Sequence, residues 1–433
     1  MPNSNRSGSR SSAADSRQFI AEHTAATRRF FLKLAAVGTA GSFVPFGQLT
    51  AAELPELLAE AVEKIEPYFT AQDDFRDVSR GKPTPHRLPD EKKAEVGITR
   101  DTWSLEFGSD PDKPADIKKP FGEEAGRPFR FADLMAMSKQ HAVRFPKVMT
   151  CLNIGCPLGM GVWEGVPLRE LFWQTQPRQN IRRLFYYGYH NDDPKQMFRS
   201  SLPIDRILED PDGVPPVIVC YKLNGDWLTS ARGGPVRIVV PEAYGFKSIK
   251  WLTHIFASNL FHANDTYGEQ NNDVASQLKS FSATLSIPPI ILADRPVPIT
   301  GYAQSGITGL SKVQVWVESD AEPYEGTDRH FQDAPWVDAT ILDPPPQWGV
   351  GLGDPKILQS TTGFDEAGRP KQWPMRLAKA HWAAVLPPMK PGDYTIRSRT
   401  VDERGKAQPL PRPFQKSGHA AIESVPITVE TAS

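Results

Sequence analysis

Cysteine is scarce in this chain: three in 433 residues, namely Cys151, Cys156 and Cys220. So small and odd a number builds no disulfide framework. Three thiolates also fall short of the four that a simple iron–sulfur cluster requires. Cys151 and Cys156 could pair, but their spacing on one loop leaves that geometry open. The Cys-x-x-Cys-His run that attaches haem covalently is missing. The nine histidines are scattered and form no His-Glu-x-x-His pair, which counts against a zinc hydrolase. Charge of one sign is lacking too. Fifty Lys and Arg stand against 51 Asp and Glu, a net −1, so nothing favours a nucleic acid or a polybasic membrane contact. No repeat of solenoid length is visible.

Proline, by contrast, is plentiful at 41 residues. Proline-rich loops between short apolar runs favour a β-rich protein over a helical bundle. Residues 1–52 read as an address. A Ser/Ala/Asn/Arg-rich start with the composition of a disordered segment leads into Thr27-Arg28-Arg29-Phe30-Phe31-Leu32-Lys33. A short, mildly apolar stretch follows, with small residues at Thr50-Ala51-Ala52 for cleavage. Twin arginines before such a stretch predict export by the twin-arginine route to the periplasm, or a membrane anchor if the signal is uncleaved. That route carries folded cargo, often loaded with a cofactor.

The rest divides into three parts and predicts an α+β fold. Residues 53–97 form a short helix and a polar loop leading into the core. Residues 98–280 form a sheet-rich body ending in an Asn/Asp-rich linker. Residues 281–433 carry evenly spaced strand-like runs such as Ser311 to Val317 and Tyr394 to Thr400, separated by turns such as Lys390-Pro391-Gly392-Asp393. Short, regular strands with turn signals predict an immunoglobulin-like β-sandwich. Within the body, Thr150-Cys151-Leu152-Asn153 places one thiol at the end of an apolar run, ahead of Trp163-Glu164-Gly165-Val166-Pro167-Leu168-Arg169. A lone thiolate at a strand end suits one soft ligand for a buried metal. Taken alone, it equally suits a small core residue.

Several segments together resemble the sulfite oxidase family of molybdopterin oxidoreductases. They are the Cys151 segment through Leu171, Ser201-Leu202-Pro203-Ile204 leading to Val219 through Gly225, and Gly233 through Leu252 with its Pro-Val-Arg strand and Lys-x-x-Lys-Trp exit. In the C-terminal part, Gly301-Tyr302-Ala303, Trp382 and Pro391 through Asp402 resemble the family's immunoglobulin-like dimerisation domain. The resemblance implies a molybdenum–molybdopterin cofactor with Cys151 as the metal's protein thiolate, and Tyr221 as an active-site tyrosine. It implies cofactor contacts from Arg232, Arg237, Lys247, Ser248 and Lys250, with Arg80 and His86, beside Asp77, in an early cofactor-binding segment. Cys156 and Cys220 read as structural.

Where family members that oxidise sulfite carry a Cys-x-Gly-Asn-Arg-Arg run, this chain has Leu152-Asn153-Ile154-Gly155-Cys156 after Cys151, with no arginine. Tyr302 stands where a second substrate arginine is expected, and Arg232 stands in place of a histidine. A small dianion in a dry pocket needs fixed cations, so the substrate is left open between sulfite and another small oxo-compound. The expected activity is two-electron oxygen-atom transfer. Electrons would leave to a separate carrier such as a c-type cytochrome, since no haem motif lies in this chain, and the chain would form a homodimer. The competing reading is an exported, non-catalytic β-sandwich binding protein on a degenerate molybdopterin scaffold. It leaves the 233–252 motif and the export signal unexplained.

Overall fold

A computed structural model describes residues 61–63, 65–152, 157–193, 197–263, 274–328, 331–345, 348–349, 351–408 and 420–431. The twin-arginine segment, Cys156 and most of the 53–66 helix lie outside the described residues. No helix among the described residues is long and apolar enough to cross a membrane.

The body holds two main sheets, one mixed and one antiparallel. One is ordered Glu106–Ser109, Leu252–Ser258, Arg183–Gly188, Arg199–Pro203, with the first pair parallel and the others antiparallel. The second is antiparallel and runs Arg237–Val239, Ile218–Leu223, Pro157–Pro167, Val143–Thr150. The Val-, Ile- and aromatic-rich runs in these strands suit pleated, buried surfaces. Side chains alternate across the second sheet. Val219 and Tyr221 face one core with Leu184, Tyr186 and Ile255. Ile218 and Cys220 face another with Phe75, Phe145 and Trp163. The short helices Phe131–His141 and Leu168–Gln174 bury Leu134, Leu171 and Phe172 against the first core.

The C-terminal strands form one pathway of eight. Val337–Ile341 pairs at one end with Lys312–Ser319 and at the other with Lys379–Leu386, so it links two facing halves. Ile299, Trp382 and Ala384 from one half pack with Val313, Ile396 and Val429 from the other. The outward N–H groups of Ser282 and Thr284 on the terminal strand Phe281–Ser286 donate to the side chains of Gln408 and Glu423. Capping of this kind blunts a strand edge against further pairing.

The α+β expectation shifts toward sheet. The α-helices lying wholly within the described residues are four, of 5 to 11 residues. A third core joins the body to the C-terminal part, with Tyr68, Phe69, Val148 and Tyr244 packed on Trp348, Phe364 and Leu377. The Val148 N–H donates to the Leu377 carbonyl at 2.9 Å across that junction.

Candidate active site

A cavity of about 330 Å³ opens where three parts of the chain converge. The end of Val143–Thr150 contributes Met149 and Cys151, and the end of Arg183–Gly188 contributes Tyr189 and His190. The stretch from Arg232 to Trp251 forms a basic wall. Residues 75–80, without regular structure, lie across the opening.

Two glycines allow this convergence. Gly233 ends the Ser230–Arg232 turn at φ 94°, in the left-handed region that glycine adopts without strain. A Cβ there would meet the Lys250 Cγ at 2.6 Å, so glycine lets Arg232 and Lys250 share one wall. At Gly188 a Cβ would sit 2.1 Å from the Lys250 carbonyl. The strand end bearing Tyr189 and His190 can therefore lie directly against that wall.

The wall is cationic. Arg237 is buried and donates to the carbonyls of Arg232 at 2.8 Å and Ser248 at 2.6 Å, stacked on Trp163. Burial pulls its guanidinium down to about 10. Arg232 is 5% exposed, lies over the Phe75 ring, and its Nε has no hydrogen-bond partner. Burial lowers its pKa as well. Lys250 Nζ donates to Ser79 Oγ and the Ala231 carbonyl, each at 2.6 Å, and to Asp77 at 3.2 Å. Burial and then Arg237 pull Lys250 down to about 7. Burial would raise the Asp77 carboxyl, but Lys250 and two hydrogen bonds from Ser79 outweigh it and hold Asp77 at about 2. His86 pairs with Asp77 at 3.3 Å and stacks on Trp251. Arg80 lies over Phe198. Behind the wall, fully buried Lys147 donates to the Val148 and Ala243 carbonyls, each at 3.0 Å. Burial pulls it to about 7 against the opposing influence of Glu242.

The structure thus brings together Cys151, Arg80, Arg232, Arg237, Ser248 and Lys250, with His86 and Asp77 at the rim. It does not bring Lys247 to the cavity: its Nζ donates to the Ser201 carbonyl on a neighbouring strand at 3.0 Å. Tyr221 is a correction. It points to the opposite face of its sheet from the cavity, 3% exposed, and its hydroxyl donates to Glu164 Oε1 at 3.0 Å. Burial, with Glu164 beside it, pushes that hydroxyl's pKa up. Sequence reasoning missed Phe75, His190 and Phe246, which line the cavity. The signal for His190 was present in the run of aromatics from Phe185 to Tyr189 that it ends.

These residues fit an anionic group. Among the described residues no carboxylate lines the cavity. A buried guanidinium there keeps an unpartnered N–H, and buried cations need anionic partners. The Cys151 thiol lines the same cavity and offers it one soft donor.

Residues 121–264 match the oxidoreductase molybdopterin binding domain family. The mitochondrial sulfite oxidase of Drosophila melanogaster is 28% identical over 117 residues, 27% of this chain and 19% of that protein. The chain spans less than a fifth of that relative's length. The protein-methionine-sulfoxide reductase catalytic subunit MsrP of Ralstonia nicotianae is 27% identical over 255 residues, covering 54% of this chain and 69% of the relative. The crystal structure of the sulfane dehydrogenase SoxCD from Paracoccus pantotrophus shares the fold, with a TM-score of 0.53 at 15% identity over 91% of this chain and 96% of that one. The matched domain contains Cys151 and the basic wall but begins after the 75–87 segment. Residues 121–264 thus carry the similarity to the oxidoreductase molybdopterin binding domain.

Proposed function

We propose that the chain is a molybdenum-cofactor-dependent oxidoreductase acting on a small oxo-compound, with sulfite the first candidate. The observation that carries this is the gathering of Cys151, the buried Arg232 and Arg237, and Lys250 around one cavity. When bound, the cofactor supplies two-electron oxygen-atom transfer. The chain's own residues do the rest. Cys151 would hold the metal as a thiolate. Arg232 and Lys250 would bind the cofactor's anionic groups, with Lys250 released from Asp77 as it does so. Arg237, committed to the Arg232 and Ser248 carbonyls, holds the two turns in register and adds buried positive charge. Phe75 and the residues to Arg80 exclude water from the opening, which strengthens each of these interactions.

The same reading takes the C-terminal strands as an immunoglobulin-like sandwich that forms a homodimer. It takes export by the twin-arginine route from the Arg28-Arg29 segment, and a separate electron carrier such as a c-type cytochrome. Cys151→Ser tests the core of it. Turnover of sulfite or methyl sulfoxides by the purified chain should fall by about a thousandfold or more, the scale of losing an essential reacting group. Full activity of the serine variant with molybdenum still bound would refute the thiolate assignment.

A further inference from the structure

The residue before the thiol is held from the far part of the chain. Thr150 is fully buried at the end of Val143–Thr150, and its hydroxyl donates to Gln304 Oε1. Gln304 is 1% exposed and ends Val297–Gln304, a strand of the C-terminal sheets. Its other amide atom is also committed, since Nε2 donates to the Lys279 carbonyl at 2.6 Å. That second bond fixes which way the amide points, so Oε1 must face Thr150. The Lys279 segment is tied in turn to the cavity side, with Leu278 N–H donating to the Glu242 carbonyl at 2.6 Å and Tyr244 N–H to the Ser276 carbonyl at 3.0 Å. Gln304 therefore sits where the Cys151 turn, the 276–280 segment and the C-terminal sheets meet. The ladder is irregular just here, with a register shift between Met149 and Thr150. Local pairing alone leaves the turn weakly set.

We propose that Gln304 is a positioning residue for Cys151, fixing the Thr150–Cys151 turn through the Thr150 hydroxyl so that the thiol faces the basic wall. This rests on the reading of Cys151 as the metal's ligand. It gives the C-terminal sheets a part in the active site beyond any role in dimerisation. A buried amide with both ends satisfied is costly to disturb, and either truncation leaves one buried group unpaired.

The test uses the full chain, purified with and without its cofactor. Alkylation of Cys151 by iodoacetamide is followed at one fixed pH in the cofactor-free chain, and peptide mass spectrometry scores Cys151 apart from Cys156 and Cys220. Gln304→Leu and Thr150→Val should each speed Cys151 alkylation by about tenfold as the turn loosens. The double variant should be no faster than either single one, because both remove the same link. Thr150→Ser keeps the hydroxyl that donates to Gln304 Oε1 and should stay within about twofold of wild type. In the loaded chain, the thiolate–molybdenum absorption band should shift in the Leu variant and hold in the Thr150→Ser variant. Wild-type alkylation rates and an unmoved band in folded Leu or Val variants would overturn the proposal, as would additive effects in the double. Should the Leu variant fail to fold, Thr150→Val alone decides the matter by the same readings. A wild-type chain that binds no molybdenum would refute the ligand reading instead, and the alkylation arm, which contains no metal, still decides the anchoring.

Discussion

Cys220 and Tyr221 are neighbours on Ile218–Leu223 and face opposite sides of their sheet. Cys220 packs with Phe75 and Trp163 behind the basic wall, while Tyr221 packs into the other core. A resemblance fixes position along a chain, but one step along a strand reverses the face. Tyr221 therefore reads as an active-site residue by motif and as a core residue by parity. Tyr221→Phe should leave cofactor content unchanged and lower stability by about 1–2 kcal/mol, since Glu164 loses one donor while keeping Arg144 at 2.5 Å. Loss of the cofactor from a folded Phe variant would contradict this placement. Lys147 gives a second residue-scale prediction. It titrates at about 7 in the folded chain, against ~10.4 for an ordinary lysine in the unfolded one. Between those values the unfolded state binds the extra proton, so stability rises with pH across that window. Lys250, also near 7, acts in the same sense. Lys147→Met removes one of the two contributions. Its denaturation midpoint should therefore rise less between pH ~6.5 and ~9.5 than that of wild type. An unchanged rise would mean that Lys147 keeps an ordinary lysine pKa.

At the scale of elements, the site is a meeting of strand ends and irregular segments rather than the property of one motif. The 233–252 stretch was legible because its parts are local. A glycine turn, a Pro-Val-Arg strand and a Lys-x-x-Lys-Trp exit lie within twenty residues, and the fold keeps Arg237, Lys250 and Trp251 from them on one wall. The 75–80 segment was only loosely legible. Its place over the cavity depends on Phe75 seating against Gly159, where a Cβ would fall 2.5 Å from the ring, and on Arg76 N–H reaching the Leu158 carbonyl. Neither contact leaves a periodic signature. Gln304 was not legible at all, because a single side-chain bond across 154 residues has no local pattern. The approach of Arg183–Gly188 to the Lys250 segment is the tightest of these junctions. Gly188→Ala would press a Cβ onto backbone carbonyls at 2.1 and 2.3 Å, which cannot yield as a side chain can. It should cost about 3 kcal/mol and strip the cofactor from what folds. A Gly188→Ala chain of wild-type stability and cofactor content would show that the wall tolerates wider spacing than its packing implies.

Across the whole molecule, the body and the C-terminal sheets share a core and several hydrogen bonds. Lys379 adds another tie, donating to Glu66 at 2.7 Å, and the Arg144 carbonyl accepts from the Thr362 N–H at 2.8 Å. Such contacts predict that the two parts unfold together. Thermal denaturation followed by tryptophan fluorescence and by calorimetry should give one coincident transition, and two separated transitions would show independent parts. The scarcity of cysteine and the missing haem motif point, in the sequence alone, away from iron–sulfur clusters and toward one thiol serving one metal. The substrate was not legible, because it depends on cations whose aim is set by turns. Arg232 reaches the cavity through a glycine-ended turn that a sequence pattern alone leaves free. The most direct test of the account is the molybdenum and pterin content of the folded, full-length chain purified from its native cytoplasm. About one molybdenum and one pterin per chain are expected, the stoichiometry of a single thiolate site. Neither metal nor pterin in well-folded protein would contradict the account and leave a binding protein built on the same scaffold.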